Sequence, residues 1–187
     1  MRRSATIVHL YRPALRRFPA FGPARLNGPV QIEPMTAAYA ADIVSWRYPA
    51  PYDVYDMSGT DVAFITGREA GFFALTDAGE LIGFRSFGAD GQVPGGSYDS
   101  SALDTGGGLR PDLTGLGLGR EAIATGLAFG RERFAPAAFR VTVASFNLRA
   151  LSVVEALGFR RTDTFDAITN GRSYEILTRP ENGRARA

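Results

Sequence analysis

Residues 109–120 read Leu-Arg-Pro-Asp-Leu-Thr-Gly-Leu-Gly-Leu-Gly-Arg. Gly115, Gly117 and Gly119 alternate with larger residues and run directly into a helical pattern, Glu121 to Phe134. The preceding stretch, 101–110, reads as a strand. A strand, a glycine turn and a helix start together form an anion cradle. Glycine lets the backbone approach a ligand closely. The unpaired N–H groups of the first helical turn point at the anion, and the helix dipole adds attraction. The pattern therefore predicts a phosphorylated ligand.

Two common phosphate motifs are excluded. A nucleotide P-loop ends in Gly-Lys-Ser/Thr, and the chain has no lysine, all 21 basic residues being arginine. A dinucleotide fingerprint needs Gly-x-Gly-x-x-Gly with an acid about 20 residues later. The glycine spacing here differs, and the region around Arg140 offers no such acid.

Working outward, Phe139-Arg-Val-Thr-Val-Ala-Ser-Phe146 alternates and is rich in β-branched residues, which predicts a strand. The next stretch, Asn147-Leu-Arg-Ala-Leu-Ser-Val-Val-Glu-Ala-Leu-Gly158-Phe159, has a helix cap at its start and a glycine stop at its end. Arg110-Pro111 followed by the alternating glycines, then Asn-x-x-Ala and, further on, Gly-Phe, resembles the acetyl-CoA-binding half of the GNAT superfamily of N-acetyltransferases. The resemblance extends over residues 29–179, with its specific motifs in 104–159.

Composition sets further bounds. A chain of 187 residues with 45% apolar content can bury a full core as one domain. No apolar run is long enough to span a membrane. Cysteine is absent, which removes disulfides, thiolate metal sites and a cysteine nucleophile and is compatible with a reducing cytoplasm. The single histidine, His9, rules out a multi-histidine metal site, and no metal is expected. Residues 1–26 carry six arginines and no acid, while the remainder holds 15 arginines against 19 acids. The basic character therefore belongs to the N-terminal segment, and the domain has no basic excess for nucleic acid.

The sequence divides into a basic tail at 1–28, a domain at 29–179 and a C-terminal tail at 180–187. Pro13, Pro19, Gly22, Pro23 and Gly28 interrupt the first segment. Within the domain, a strand is expected at 30–34, a helix capped by Thr36, and an aromatic loop over 46–55. A short helix at 60–66, a hairpin of 71–76 with 80–87, and a final strand pair at 160–167 and 172–179 complete the pattern. The order β-α-α-β-β-β-α-β-α-β-β predicts an α/β (α+β mixed) fold. It is a twisted mixed sheet of six or seven strands with helices on both faces, and the GNAT resemblance implies the same order.

The resemblance implies acetyl transfer from acetyl-CoA to an amine, with acetyl-CoA as co-substrate. It also implies that the strands at 101–110 and 138–146 splay to admit the cofactor. Backbone groups at Gly108, Leu109 and Arg110 would pair with the pantetheine arm. Those of Thr114, Gly115, Leu116, Gly117, Leu118, Gly119 and Arg120 would hold the pyrophosphate. The family usually carries Gln or Arg where Thr114 stands and often a basic residue at Leu116, so this cradle is neutral apart from Arg120. Asn147 is either a contact to the cofactor arm or a plain helix cap. A tyrosine that donates to the leaving sulfur in many members is replaced by Val154. Asp104 is the candidate base, with a structural carboxylate as its alternative. Tyr48, Tyr52 and Tyr55 are candidates for an acceptor wall that holds a cationic amine, or for plain packing. Trp46 reads as core. A catalytically weak CoA-binding or regulatory module is the alternative function, and a homodimer stays open.

Overall fold

The strand that leads into the glycine turn is the central one of a seven-stranded sheet in a computed structural model. The structure describes residues 26–181, apart from 68 and 70. Most of the expected basic tail and the last six residues of the chain lie outside that range.

Strand β1 (Gln31–Pro34) is followed by α1 (Ala37–Ser45), a 3-10 turn at Tyr52–Tyr55 and α2 (Val62–Thr66). The hairpin of β2 (Phe72–Asp77) and β3 (Glu80–Phe87) leads to β4 (Leu103–Leu109), then α3 (Gly119–Phe134). The chain continues through β5 (Ala138–Ala144), α4 (Leu148–Ala156), β6 (Arg160–Asp166) and β7 (Ser173–Pro180). The spatial order is β1-β2-β3-β4-β5-β7-β6, and only β4 and β5 are parallel. This is the expected order of elements in a mixed sheet.

Local chemistry explains the helix starts. The Thr36 side chain accepts from the Tyr39 N–H, and Asp61 accepts from Ala63, each satisfying an orphan donor of a first helical turn. Trp46 closes α1 and is buried, as a core residue should be.

Period-two alternation in the strands sends neighbouring residues to opposite faces. Ala74 packs with Ile43, Trp46 and Leu81 beneath α1, while Leu75 packs with Val30, Ile82 and Ala122 beneath α3. The main cluster, with Phe87, Leu127, Phe139, Val141, Leu151 and Val154, fills the space between the sheet and the α3–α4 layer. Helices therefore cover both faces. At the ends of the described chain, the N–H groups of Asn27 and Gly28 donate to Asp77 at 2.8 and 2.9 Å. Glu181 pairs with Arg131 and Arg179.

Candidate functional site

The parallel pair β4–β5 holds register at only two positions, Leu103 with Phe139 and Asp104 with Arg140. Beyond them the strands part, and residues 105–109 face residues 141–144 across a gap. The separation is fixed at its closed end by a buried ion pair. Arg140 donates through Nε to Asp104 Oδ1 at 2.5 Å and through Nη2 to Oδ2 at 3.0 Å. Gln92 donates to the same Oδ2 at 2.8 Å. The Asp104 carboxylate, expected as a base, is thus engaged on both oxygens and only 4% exposed. Asp99 also accepts from Arg140, and hydrogen bonds from Ser101 and Arg140 hold its carboxyl at about 2.

β4 curves away from β5 through Gly106-Gly107-Gly108. Gly107 has φ +144°, and a Cβ there would sit 2.3 Å from the Phe84 carbonyl oxygen, so no other residue fits without displacing β3. Arg110 N–H donates to the Ile82 carbonyl at 2.8 Å, and Gly83 stands opposite Leu109. In an antiparallel ladder that makes Gly83–Leu109 a non-hydrogen-bonded pair, so the Leu109 N–H and C=O point away from β3 into the gap. By the same alternation Gly108 and Arg110 direct their N–H groups at β3. The Arg110 carbonyl accepts from Leu113. Of the three residues expected to pair with a cofactor arm, only Leu109 turns its backbone groups to the gap, and of these its N–H is the open one.

At the open end lies the cradle. Thr114 turns inward, its hydroxyl donating to the Pro111 carbonyl at 2.8 Å and its N–H to the same oxygen at 3.3 Å. Gly115 and Gly117 have φ of +79° and +88°, alternating with negative-φ neighbours. Alternating handedness makes successive N–H groups converge on one concavity, an anion nest. Among the described residues, no backbone N–H from Gly115 to Glu121 donates to a protein acceptor. Leu118 precedes α3 without a side-chain cap, so the first-turn donors of Gly119 and Arg120 stay open. Leu118 itself is buried, and the Arg120 side chain is exposed.

The aromatic loop crosses the gap on the α1 face and touches both lips. Tyr48 donates from its phenol to the Leu109 carbonyl at 2.7 Å. Its pKa is held above the ordinary tyrosine value by burial and then by the charge of Asp56. Tyr55 sits on the other lip, accepting from Asn147 Nδ2 at 3.1 Å and packing on Phe146. Its pKa is also raised, chiefly by burial. Tyr52 meets the edge of Phe146. Asn147 has both an intrahelical and a cross-loop role, since its Oδ1 also accepts from the Ala150 N–H.

Two residues were not anticipated. Arg149 stacks on the Tyr52 ring at 4.6 Å, and a Cβ on Gly115 would lie 2.9 Å from its Nη1, so a cation from α4 overhangs the nest. Its sequence position gave no signal, because nothing local links α4 to the glycine turn. Arg85, on β3, is 5% exposed beneath α3. Val154 lies in the apolar cluster facing α3, 2% exposed, with no donor to offer. Among the described residues, no group of three or more acidic or histidine side chains is arranged to hold a metal.

A parallel pair that parts at a glycine-rich stretch of β4, with a glycine nest at one end and tyrosines across it, is an arrangement shared with known proteins. A family model described as Acetyltransferase (GNAT) family matches residues 38–159. No curated protein matches by sequence. Among solved structures, a GNAT-family acetyltransferase from Bacillus anthracis superposes with a TM-score of 0.62 at 15% identity, over 83% of this chain and 97% of its own. AAC(6')-Ib, solved with paromomycin and acetyl-CoA, gives 0.63 at 18% identity, over 86% of this chain and 100% of its own. A spermidine N-acetyltransferase from Vibrio cholerae gives 0.58 at 14% identity, over 81% and 94%. At such identities the structural likeness is one of fold. The family match spans most of the chain, and on it the chain belongs to the GNAT family of acetyltransferases.

Proposed function

We propose that this acyltransferase moves an acetyl group directly from acetyl-CoA to an amine. The carrying observation is the gap between β4 and β5, with unpaired N–H groups from Gly115 to Glu121 at one end and the Leu109 N–H along its wall. These fit acetyl-CoA on chemical grounds. The nest and helix start suit a pyrophosphate. The inward-facing Leu109 N–H suits a carbonyl oxygen that gains charge during attack. Arg120 and Arg149 supply the positive charge that Thr114 and Leu116 do not.

The acceptor enters from the tyrosine side. Tyr48, Tyr52 and Tyr55 present ring faces and phenols, which suit a cationic or hydroxylated amine. AAC(6')-Ib was solved with paromomycin, and the Vibrio cholerae neighbour is a spermidine N-acetyltransferase. Both support a polyamine-like acceptor class here. Raised pKa values keep Tyr48 and Tyr55 protonated, so they act as donors and not as bases. Asp104, tied to Arg140 and Gln92, positions the strands at the base of the gap. The proton shed by the attacking amine then passes to water. Transfer is direct, since the chain has no cysteine to carry an acetyl group. The absence of cysteine, and of a membrane-spanning helix among the described residues, is compatible with a cytoplasmic location.

The test has two stages. Acetyl-CoA at about 100 times its dissociation constant should stabilise the protein by roughly 2.7 kcal/mol in a thermal-shift titration. CoA release is then followed with polyamines and aminoglycosides as acceptors. No stabilisation defeats the reading. Stabilisation without CoA release over the panel favours the second reading, a CoA-binding module, which the buried Val154 keeps in view.

A further inference from the structure

Arg85 is a buried cation without a counter-ion among the described residues. Its side chain rises from β3 beneath α3, where Gly126 makes room for it. A Cβ on Gly126 would lie 2.7 Å from Nε and 2.9 Å from Cγ. Nη2 donates to the Thr105 hydroxyl at 2.8 Å. Nε is buried and has no hydrogen-bond partner among the described residues. Among the described residues no carboxylate lies within the 4.0 Å of an ion pair. Buried charges are ordinarily paired, because the desolvation penalty is large. Burial lowers the Arg85 pKa to about 10, so the guanidinium remains charged at neutral pH.

Its location gives the charge a use. Thr105 is the first β4 residue beyond the last rung shared with β5. The other terminal nitrogen, Nη1, lies 3.1 Å from the position a Cβ on Gly107 would take. The cation therefore stands behind the β4 wall, near the closed end of the gap. Phe87, two residues further along β3 and on the same face, packs in the cluster that contains Val154. Arg85 thus shares a sheet face with Val154, where the family resemblance implies a donor to the leaving sulfur and valine has none.

We infer that Arg85 is a positioning residue whose charge stabilises the CoA thiolate as it leaves, in place of a donor at Val154. The inference rests on the acetyl-CoA reading above. In the step concerned, the amine lone pair forms the new N–C bond and the C–S bond breaks. Its electron pair departs on sulfur, and the nitrogen loses a proton to water. One negative charge thus appears in the gap beside β4 without an acid to quench it. A fixed cation in a poorly hydrated site lowers the cost of that charge without transferring a proton.

The experiment titrates the thiol of CoA bound to the protein, by the ultraviolet absorbance of the thiolate against a desulfo-CoA blank. The protein has no cysteine, so CoA supplies the sole thiol. A free thiol of this kind titrates near about 8.5. The wild type should bring bound CoA below that value, and Arg85→Gln should raise it by about one pH unit or more. Arg85→Lys, which keeps the charge, should retain the lowered titration. Arg85→Met should leave the thermal midpoint of the ligand-free protein unchanged or higher, where a merely structural arginine would lower it. CoA that binds wild type and Arg85→Gln with the same thiol titration overturns the inference while the acetyl-CoA reading stands. If Arg85→Gln does not fold, loss of the lowered titration in Arg85→Lys overturns it equally. Failure of CoA to bind the wild type would remove the acetyl-CoA reading and this inference together.

Discussion

The Asp104 carboxylate and the Arg140 guanidinium form a two-point ion pair at the last rung before β4 and β5 separate. Both side chains are at least 93% buried, at 5% and 7% exposure. Removing one partner of such a pair leaves the other charge uncompensated in the interior. Arg140→Met should therefore destabilise the protein by about 3–5 kcal/mol in chemical denaturation. Asp104→Asn should also lower stability, yet leave the shape of the kcat/KM pH profile unaltered. Loss of a limb of that profile in the asparagine variant would instead assign Asp104 the role of base.

The phenol of Tyr48 satisfies the Leu109 carbonyl from across the gap. Tyr48→Phe should cost about 1–3 kcal/mol of stability, the penalty for an acceptor left without its donor. Because this bond joins the aromatic loop to β4, KM for the amine should rise several-fold on the function proposed above. Equal stability of the two proteins in urea denaturation would show that the bond contributes nothing.

Gly117 has no atom within 4 Å of where a Cβ would go, so space is not its constraint. Its φ of +88° is. Alanine there costs about 1–2 kcal/mol in backbone energy, and the loop relaxes by turning its N–H groups out of the nest. Gly117→Ala should weaken acetyl-CoA binding about tenfold, as read by calorimetry, while a nest that plays no part in binding would give no change.

Arg149 brings charge to the nest from α4. Arg149→Gln should weaken acetyl-CoA binding about threefold to tenfold at low ionic strength. The difference should shrink as salt rises, because exposed charges are screened. Acetyl-pantetheine, which lacks the pyrophosphate, should bind both proteins alike. A salt-independent difference would point to packing against Tyr52 instead.

Glu181 closes the described chain against Arg131 and Arg179. Burial alone would raise its pKa, but hydrogen bonds from Arg131 and then Arg179 more than offset this and hold it below the ordinary value. A carboxylate lowered in this way contributes stability above its unfolded value of about 4.3. That contribution is lost as the pH falls through the lower folded value. Glu181→Gln should remove the contribution at pH 7 and leave a shallower decline in stability on acidification, measured by denaturation at neutral and acidic pH.

The sheet strands and most helix bounds were legible because they follow from local rules. Thr36 and Asn147 cap as Ser, Thr, Asp and Asn side chains do. The Asp77-Ala-Gly79 turn closes its hairpin, and period-two alternation marks β5. The glycine spacing at 115–119 likewise specified a turn with positive φ at Gly115 and Gly117, since glycine takes that conformation at no steric cost. Partners distant in sequence were not legible. Asp104 is 36 residues from Arg140, and nothing in its neighbourhood reveals that its oxygens are occupied. The direction of the Leu109 backbone groups depends on the register of β3, which only the assembled ladder sets.

By itself, then, the sequence determined the order of elements, the glycine turn without lysine and the lack of a thiol nucleophile, because each rests on residue type and short spacing. The tertiary structure alone decided which charges meet. It joined Arg140 to Asp104, set Arg149 over Gly115, and left Arg85 beneath Gly126 with no carboxylate partner among the described residues. Electrostatic energy depends on distance and burial, and neither is set until the chain has folded.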